Sequence, residues 1–576
     1  MPCFPRFPCT LRMLKRLFAL MLARLDGWAD RLYGWKWNPL YQSGAIVVLC
    51  LAVMLVTGIY LLFFYRIGAP HESIVRIDAQ PWGGRWIRSL HRYAADLAVA
   101  AAVVHALRMF FQGRSWGPRA LAWVSGVFLL FLLYVCGWTG YVMVWDVQGQ
   151  LLATEGARLL DALPIFSEPV SRTFAGAEPL PSAFFFMNLF LHIAIPVGLV
   201  IFLWLHVSRV ARPVLLPPRS LLWTTVGLLT VAALLLPAPV AQAANLLRIP
   251  ADVPLDLFYA FWLPWLRDTS APAAWLAGTL LVAVLAAVPI LARPRKDRRP
   301  APSVVSTRLC TACHQCETDC PYDAIRMVER TDRRAGKVAW VNPAHCVSCG
   351  ICAGSCAPMG VGPPGRTGRD QLARVRDFVG GDAYRAGAIV VVACGRSGGA
   401  GRGGSNTRRA SPDSDRAGEG PARFPVSCAG NLHTSVVEYL VRAGARGVLV
   451  AACPPRDCWG REGPKWLVER LYHEREAELK ARVDRRRVQV AHASAFDTRS
   501  VDRALREFAA ELARLESPAG EDAIRIDTDC EVPEGAGEDD AGAGPRGPSG
   551  VVSRLLPGAL FRRWPAGTGR TKARGE

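Results

Sequence analysis

Four histidines at a repeated spacing constrain this chain more than anything else in it. His91 and His105 lie fourteen positions apart in one apolar run, and His192 and His206 keep the same separation in another. Fourteen residues of α-helix advance roughly 21 Å and make four turns less about 40°. Both histidines of a run therefore share one face, one toward each edge of a hydrocarbon core about 30 Å thick. Polar side chains at that depth are costly and as a rule functional. A single intramembrane histidine would read equally well as a polar group bonded to a neighbouring helix. Two runs at one spacing predict two stacked imidazole pairs, His91 with His192 and His105 with His206. An imidazole from each side is what a six-coordinate haem iron requires.

Other residues keep the same rhythm. Gly44 and Gly58 are fourteen apart, and so are Gly126 and Gly140. Arg88 and Arg108 flank the first histidine pair, and Thr139-Gly-Tyr-Val-Met-Val-Trp145 closes a third apolar run. Across roughly Trp35 to Arg212 this pattern resembles the cytochrome b of quinol-oxidising bc complexes, with Val144 where that family usually has Pro. The resemblance implies that the glycines let porphyrin faces lie against the first and third helices, since glycine has no side chain to hold a ring away. It implies that Arg88 and Arg108 face haem propionates. It also implies short helices over an outer quinol site in the loop Asp146 to Pro181. Pro254-Leu-Asp-Leu-Phe-Tyr259 stands where bc complexes have Pro-Glu-Trp-Tyr, with Asp256 in place of the glutamate. An ordinary re-entrant or surface loop is the alternative reading of that segment.

The chain has 576 residues, a net charge of +20 and 51% hydrophobic residues, so several domains are expected. Its first half is apolar with arginine at the edges; its second half is charged and rich in Gly, Pro and Arg. The arginines border membrane runs or Gly-rich linkers and accompany no reading helix, which excludes nucleic acid as the partner. Leu11 to Leu25 reads as an amphipathic helix on the inner leaflet; a secretory signal would lack Arg24 and Asp26. Six spans are expected: Ser43–Tyr65, Ile87–Phe111, Ala120–Trp145, Phe184–Val210, Leu221–Val240 and Ala273–Leu291. Basic residues cluster at the N-terminus, at Arg108, Arg114 and Arg119, at Arg209, Arg212 and Arg219, and from Arg293 to Arg299. These four stretches alternate with mixed-charge loops, which places them and both termini in the cytoplasm of a bacterial inner membrane. His91 and His192 then lie nearer the outside, and His105 and His206 nearer the cytoplasm.

The chain has seventeen cysteines. Cys310-x₂-Cys313-x₂-Cys316-x₃-Cys320-Pro321 is followed by Cys346-x₂-Cys349-x₂-Cys352-x₃-Cys356, the run of bacterial two-cluster ferredoxins. In such pairs the fourth thiolate crosses over. Cys310, Cys313, Cys316 and Cys356 are expected on one [4Fe–4S] cluster, and Cys346, Cys349, Cys352 and Cys320 on the other. Zinc prefers paired knuckles instead. Cys3, Cys9, Cys50, Cys136 and Cys530 read as bystanders, and His314 and His345 as surface residues. A half this dense in cysteine belongs in a reducing compartment.

Beyond it, strands at Ala388–Ala393, Arg423–Ser427, Gly447–Ala452 and Arg487–Ala493 alternate with helices at Thr434–Ala443, Pro464–Ala481 and Val501–Leu515. Such alternation predicts a parallel sheet with sites at the carboxyl ends of its strands. Cys394, Cys428 and Cys453 sit there, and Cys458 is in the loop beyond. Val426-Ser-Cys428-Ala-Gly430 and Gly447 through Cys453-Pro-Pro-Arg-Asp-Cys458-Trp-Gly-Arg-Glu-Gly463 resemble the delta subunit of methyl-viologen-reducing hydrogenase. The resemblance implies a [2Fe–2S] centre and electron exchange with heterodisulfide-reductase-type flavoproteins. That family has a second cysteine soon after the first strand, where this chain has Gly395-Arg-Ser-Gly-Gly, so small buried cysteines remain an alternative. The insert up to Gly420 and the tail beyond Glu516 read as disordered, with an amphipathic piece around Leu555–Trp564.

The expected architecture is multidomain: an all-α transmembrane dihaem helix bundle, an α+β two-cluster ferredoxin domain, then an α/β parallel-sheet domain of flavodoxin-like type. Its segments are an amphipathic stretch (1–36), the dihaem domain (37–215), two further transmembrane helices (216–293), the ferredoxin (294–364), an Arg/Gly-rich linker around a weak helix (365–387), the α/β domain (388–517) and a tail (518–576). The expected function is electron transfer coupling cytoplasmic flavin or iron–sulfur proteins to the quinone pool through two b haems. The expected path runs from partner to C-terminal centre, to the two [4Fe–4S] clusters, to the inner haem and to quinone as substrate. Two alternatives stay open: the cytochrome b subunit of a bc-like quinol-oxidising complex, and a non-catalytic anchor and electron conduit. No flavin, nucleotide or hydrolytic motif appears. The resemblance to bc-type cytochromes implies a homodimer by analogy alone.

Overall fold

The structure is a computed structural model and describes residues 9–175, 180–208, 213–248, 253, 256–295, 299–332, 334–400, 421–473, 475, 477–495 and 497–515. The expected disordered insert (401–420), the tail and its Leu555–Trp564 piece, and Arg209, Arg212, Pro254 and Leu255 lie outside these residues.

The chain opens with α1 (Cys9–Trp37), longer than the expected amphipathic stretch and broken at Gly34, whose φ is 71°. Its exposed Leu17, Leu20, Met21, Trp28 and Leu32 face away from the buried Asp26 and Ala29. Next come α2 (Ser43–Phe64), α3 (Pro70–Asp78), α4 (Trp86–Phe111), α5 (Ala120–Val144), α6 (Val147–Asp161), α7 (Ser182–Ser208), α8 (Arg219–Leu235), α9 (Leu263–Arg267) and α10 (Ala271–Leu291). Helix α2 lies along α4, and α5 along α7. These four form the bundle, with Cys50, Ala94, Ala98 and Leu133 in its core. Helix α6 is capped by the Asp146 carboxylate, which accepts from Gly149 N at 2.9 Å.

Among the described residues five helical stretches are long and apolar enough to cross a membrane: 43–64, 81–111, 117–144, 182–208 and 271–291. At the fifth expected span, Leu221–Val240, the structure has the shorter apolar helix α8 of 17 residues, which stops at Leu235. Pro237 ends it: a residue before proline is driven out of the helical region, and Leu236 has φ −128° and ψ 68°.

A small segment with two antiparallel sheets follows. Strand β1 (Val304–Val305) pairs with β4 (Val361–Gly362), and β2 (Ile325–Glu329) with β3 (Lys337–Val341). Short helices α11 (Gln315–Thr318) and α12 (Ile351–Ser355) lie within the two cysteine runs and carry Cys316 and Cys352. The runs repeat in backbone as well as sequence. Ala312 and His314 in the first, and Ser348 and Gly350 in the second, all have positive φ. Three of these four are not glycine, a conformation that normally marks a turn built around something.

The segment 365–387, expected as a linker around a weak helix, holds α13 (Gly368–Val379). Its start is a capping box in which Thr367 and Asp370 satisfy each other's backbone, and its Val375 and Gln371 are fully buried. The remainder is β5 (Ile389–Cys394), β6 (Ala422–Val426), α14 (Thr434–Arg442), β7 (Gly447–Ala452), α15 (Gly463–Tyr472), β8 (Val488–His492) and α16 (Thr498–Leu515). The four strands are parallel in the order β6-β5-β7-β8. Val390 and Val392 pack with α14 and α15 on one face, Val391 and Ala393 with α16 on the other. The chain order reverses at β5, and ligands in open parallel sheets gather beyond the strand ends at such a switch point.

Candidate functional site

The four histidines meet in pairs across the bundle. His91 and His105 project from α4, His192 and His206 from α7. Ring centroids are 6.4 Å apart for His91 and His192 and 6.5 Å for His105 and His206. Two metal–nitrogen bonds of about 2 Å, with about 1.2 Å from each nitrogen to its ring centre, add up to roughly that spacing. The gap fits one iron with two axial imidazoles.

The hydroxyls beside them fix the tautomer. Thr57 donates its proton to Val53 O at 2.7 Å, and its oxygen stands 2.9 Å from His91 Nδ1. Thr139 donates to Cys136 O at 2.7 Å and stands 3.0 Å from His192 Nδ1. Ser125 donates to Leu121 O at 2.9 Å and stands 3.1 Å from His206 Nδ1. A hydroxyl has one proton, so each oxygen accepts from Nδ1–H. That leaves Nε2 unprotonated and free to bind a metal, the usual support for a ligating histidine. Cys136, read as a bystander, has its sulfur 3.8 Å from His192 Nδ1 and its carbonyl 3.0 Å from it.

The glycines admit the rings. A Cβ on Gly44 would stand 3.0 Å from His105, on Gly58 3.3 Å from His91, on Gly126 3.3 Å from His206, and on Gly140 3.0 Å from His192. In each case the glycine backbone stands against the edge of a paired imidazole. Sequence reasoning passed over the accompanying signal: each glycine directly follows a hydroxyl residue, as Ser43-Gly44, Thr57-Gly58, Ser125-Gly126 and Thr139-Gly140.

Arg88 and Arg108, expected to face propionates, are held by carboxylates of the chain. Arg88 pairs with Asp78 at 2.8 Å. Arg108 is buried between Asp26 and Asp457, the latter at 2.7 Å.

The two cysteine runs line two pockets, and the thiols cross over between them. Cys310, Cys313, Cys316 and Cys356 line one. Cys320, Cys346, Cys349 and Cys352 line the other. Backbone N–H groups of Ser303, Ala324 and Gly360 donate to Cys346, Cys320 and Cys356 sulfurs at 3.4, 3.3 and 3.2 Å. Burial pushes the Cys316 and Cys349 thiols up to about 12, so a bound cation must supply the charge that ionises them. Among the described residues no three such side chains close on a single-ion site; the donor set and the voids suit a cubane.

The four cysteines of the α/β domain gather at the switch point. Cys394 ends β5, Cys453 directly follows β7, and Cys428 and Cys458 come from the next loops. Their sulfurs form a chain of contacts, Cys394 to Cys453, Cys453 to Cys458 and Cys458 to Cys428. Hydrogen bonds from Cys428 and Cys453 hold the Cys458 thiol well below its ordinary range. Gly463 makes room: a Cβ there would lie 3.0 Å from the Cys428 sulfur and 3.2 Å from that of Cys458.

Three family models match in sequence order: cytochrome b/b6/petB over residues 30–212, a 4Fe-4S dicluster domain over 309–360, and the methyl-viologen-reducing hydrogenase delta subunit over 420–516. The chain carries these three domains in that order. It is therefore an integral membrane electron-transfer protein whose domains imply b haem and iron–sulfur clusters. Residues of this chain are 29% identical over 178 positions to cytochrome b6 of Synechococcus sp. (strain JA-3-3Ab), 30% of this chain and 83% of that one. They are 28% identical over 145 positions to the menaquinol:cytochrome c reductase cytochrome b subunit of Bacillus subtilis (strain 168), 25% of this chain and 65% of that one. A solved chain described as hyperthermophilic respiratory Complex III matches at 17% identity and TM-score 0.36, covering 45% of this chain and 78% of that one.

The cytochrome b domain meets the other two along a polar seam that sequence reasoning did not find. Arg108 and Gln112, at the end of α4, bond the Asp457 carboxylate at 2.7 and 2.6 Å. Arg114 donates to Asp457 O at 2.8 Å, and burial pulls its guanidinium down to about 10. Arg119 donates to Trp459 O at 2.8 Å and to the Tyr322 hydroxyl of the dicluster domain, lying 4.7 Å over the Trp459 ring and 5.2 Å over that of Tyr322. Trp35 of α1 stands 4.6 Å from His492 at the end of β8. On the far side of the bundle Asp256 is buried. Its carboxylate takes Arg92 and Tyr141, and Phe258 N donates to it at 2.8 Å.

Proposed function

We propose that this protein passes electrons between a cytoplasmic iron–sulfur or flavin carrier and the quinone pool. In this reading His91 with His192 and His105 with His206 hold two b haems, the second nearer the cytoplasm. The crossed thiol sets hold two [4Fe–4S] clusters, and Cys394, Cys428, Cys453 and Cys458 hold a [2Fe–2S] centre. When bound, these groups supply one-electron chemistry; the chain's residues space them, fix their ligands and keep water away.

One observation carries the reading. The His105–His206 pair lies at the helix ends against which the cysteine-bearing domains are seated, through Arg108, Arg114 and Arg119. Basic residues at those same ends favour the cytoplasmic side. A relative bears the name menaquinol:cytochrome c reductase, which supports a quinone as the membrane-side partner. Asp256 is already engaged by Arg92 and Tyr141, which weighs against an outer quinol-oxidising site. Ferredoxin-type clusters commonly lie low in potential, so quinone is reduced. By analogy with bc-type cytochromes the chain forms a homodimer.

The test is the purified chain in liposomes, given a short-chain menaquinol and then its quinone. Reduction and reoxidation of the b haem absorbance are expected. A haem spectrum indifferent to both would remove quinone from the reading.

A further inference from the structure

The cysteine sites are not equally placed. The loop from Asp457 to Gly460 touches the helix of His105 at one end, because Asp457 bonds Arg108 and Gln112. At its other end, a Cβ on Gly460 would stand 3.4 Å from Cys349 and 3.7 Å from the Cys428 sulfur. The loop itself carries Cys458. A stretch of four residues therefore adjoins the second dicluster pocket, the C-terminal thiols and the cytoplasmic end of α4. Tyr322 in the lining of that second pocket joins the same seam through Arg119 and Trp459 O.

Access runs the other way. Of the C-terminal thiols, Cys394, Cys453 and Cys458 are 1%, 3% and 2% exposed and Cys428 alone is partly exposed, so a soluble carrier reaches at most one edge of that site. The first dicluster pocket has partly exposed Cys310 and Cys313, and on its lining the His314 side chain is 53% exposed.

We propose that electrons enter at the first dicluster pocket, beside His314, and reach the inner haem through the C-terminal thiol site. Cys394, Cys428, Cys453 and Cys458 then form the last iron–sulfur station before the membrane. The order expected from sequence put them first. This rests on the electron-transfer reading above and adds the sequence of stations to it. One electron moves at a time. A reduced carrier of the ferredoxin class is oxidised at the His314 face and a ferric b haem becomes ferrous, with no bond made or broken.

The test uses the purified full chain with its haem and iron–sulfur, and a bacterial two-[4Fe–4S] ferredoxin reduced beforehand. In Cys458→Ala the EPR signal of the C-terminal centre is expected to vanish while both cubane signals still form with the ferredoxin. The rapid b haem reduction seen by stopped flow in the unaltered chain is expected to be lost. Haem reduction at the unaltered rate, with the C-terminal signal gone, would overturn the order. If the substitution disturbs the cubanes too, pulsed EPR on the unaltered chain decides. The C-terminal centre is expected nearer than either cubane to the haem between His105 and His206, and a nearer cubane overturns the proposal. Unaltered chain whose haems stay ferric while every cluster is reduced would overturn the underlying electron-transfer reading instead.

Discussion

Arg108 holds Asp457 at 2.7 Å across the boundary between a membrane helix and a soluble sheet domain, and the next residue is Cys458. The same guanidinium meets Asp26 of α1. It is 3% exposed, so its charge depends on these two carboxylates.

Asp457→Ala is expected to unseat the delta-subunit domain. Removing one partner of a buried pair costs about 3 kcal/mol or more, here partly offset by Asp26. The expected result is earlier melting of the iron–sulfur absorbance, with the b haem bands melting as before. Differential bleaching at two wavelengths during a thermal ramp checks it.

Gly126→Val and Gly140→Val separate the two imidazole pairs. A branched side chain at either position enters the space of one ring, His206 or His192. Each variant is expected to lose one of two b haem signals and keep the other, read by low-temperature difference spectra. Loss of both from either variant would contradict the independent pairing.

Cys320→Ser discriminates crossed from uncrossed thiols. Cys320 belongs by sequence to the first run but lines the pocket of the second. The expected loss is the cluster held by Cys346, Cys349 and Cys352. Pulsed EPR of selectively reduced protein identifies which cluster survives, and iron should fall by about four of the eight expected for two cubanes.

Asp26 gives the seam a pH dependence. Burial, opposed by Arg108, pushes its carboxyl up to about 6. A raised carboxyl pKa contributes stability at low pH that is lost as pH rises through the folded value. The docked state is therefore expected to lose about 1 kcal/mol between roughly pH 5.5 and 8. Asp26→Asn should flatten that slope, measured as the urea midpoint of the iron–sulfur absorbance at each pH.

The imidazole pairs are legible in the sequence because helical periodicity alone puts residues fourteen apart on one face, and an apolar run admits few other elements. The crossed cysteines are legible because two runs with one spacing pair in few ways. The seam is not. Asp457 and Arg108 are separated by 349 positions, and nothing local to either names the other. Helix α13 is legible as a helix between flanking Gly and Arg, but its capping box, Thr367 with Asp370, and its burial were passed over. Helix α8 ends five residues before the expected Val240 because the apolar pattern continues past Pro237, where the helical backbone does not.

The seat for the soluble half has a consequence for biogenesis. Asp26, Arg108, Arg114 and Arg119 emerge early in synthesis, and Asp457 emerges 349 residues after Arg108. At about 5–20 residues per second the ribosome needs on the order of 20–70 s to supply it. Throughout that interval this end of the bundle presents Arg108, Arg114 and Arg119 without the Asp457 carboxylate. The nascent membrane domain must therefore shelter those cations in lipid headgroups or water until its own C-terminal half arrives to displace them.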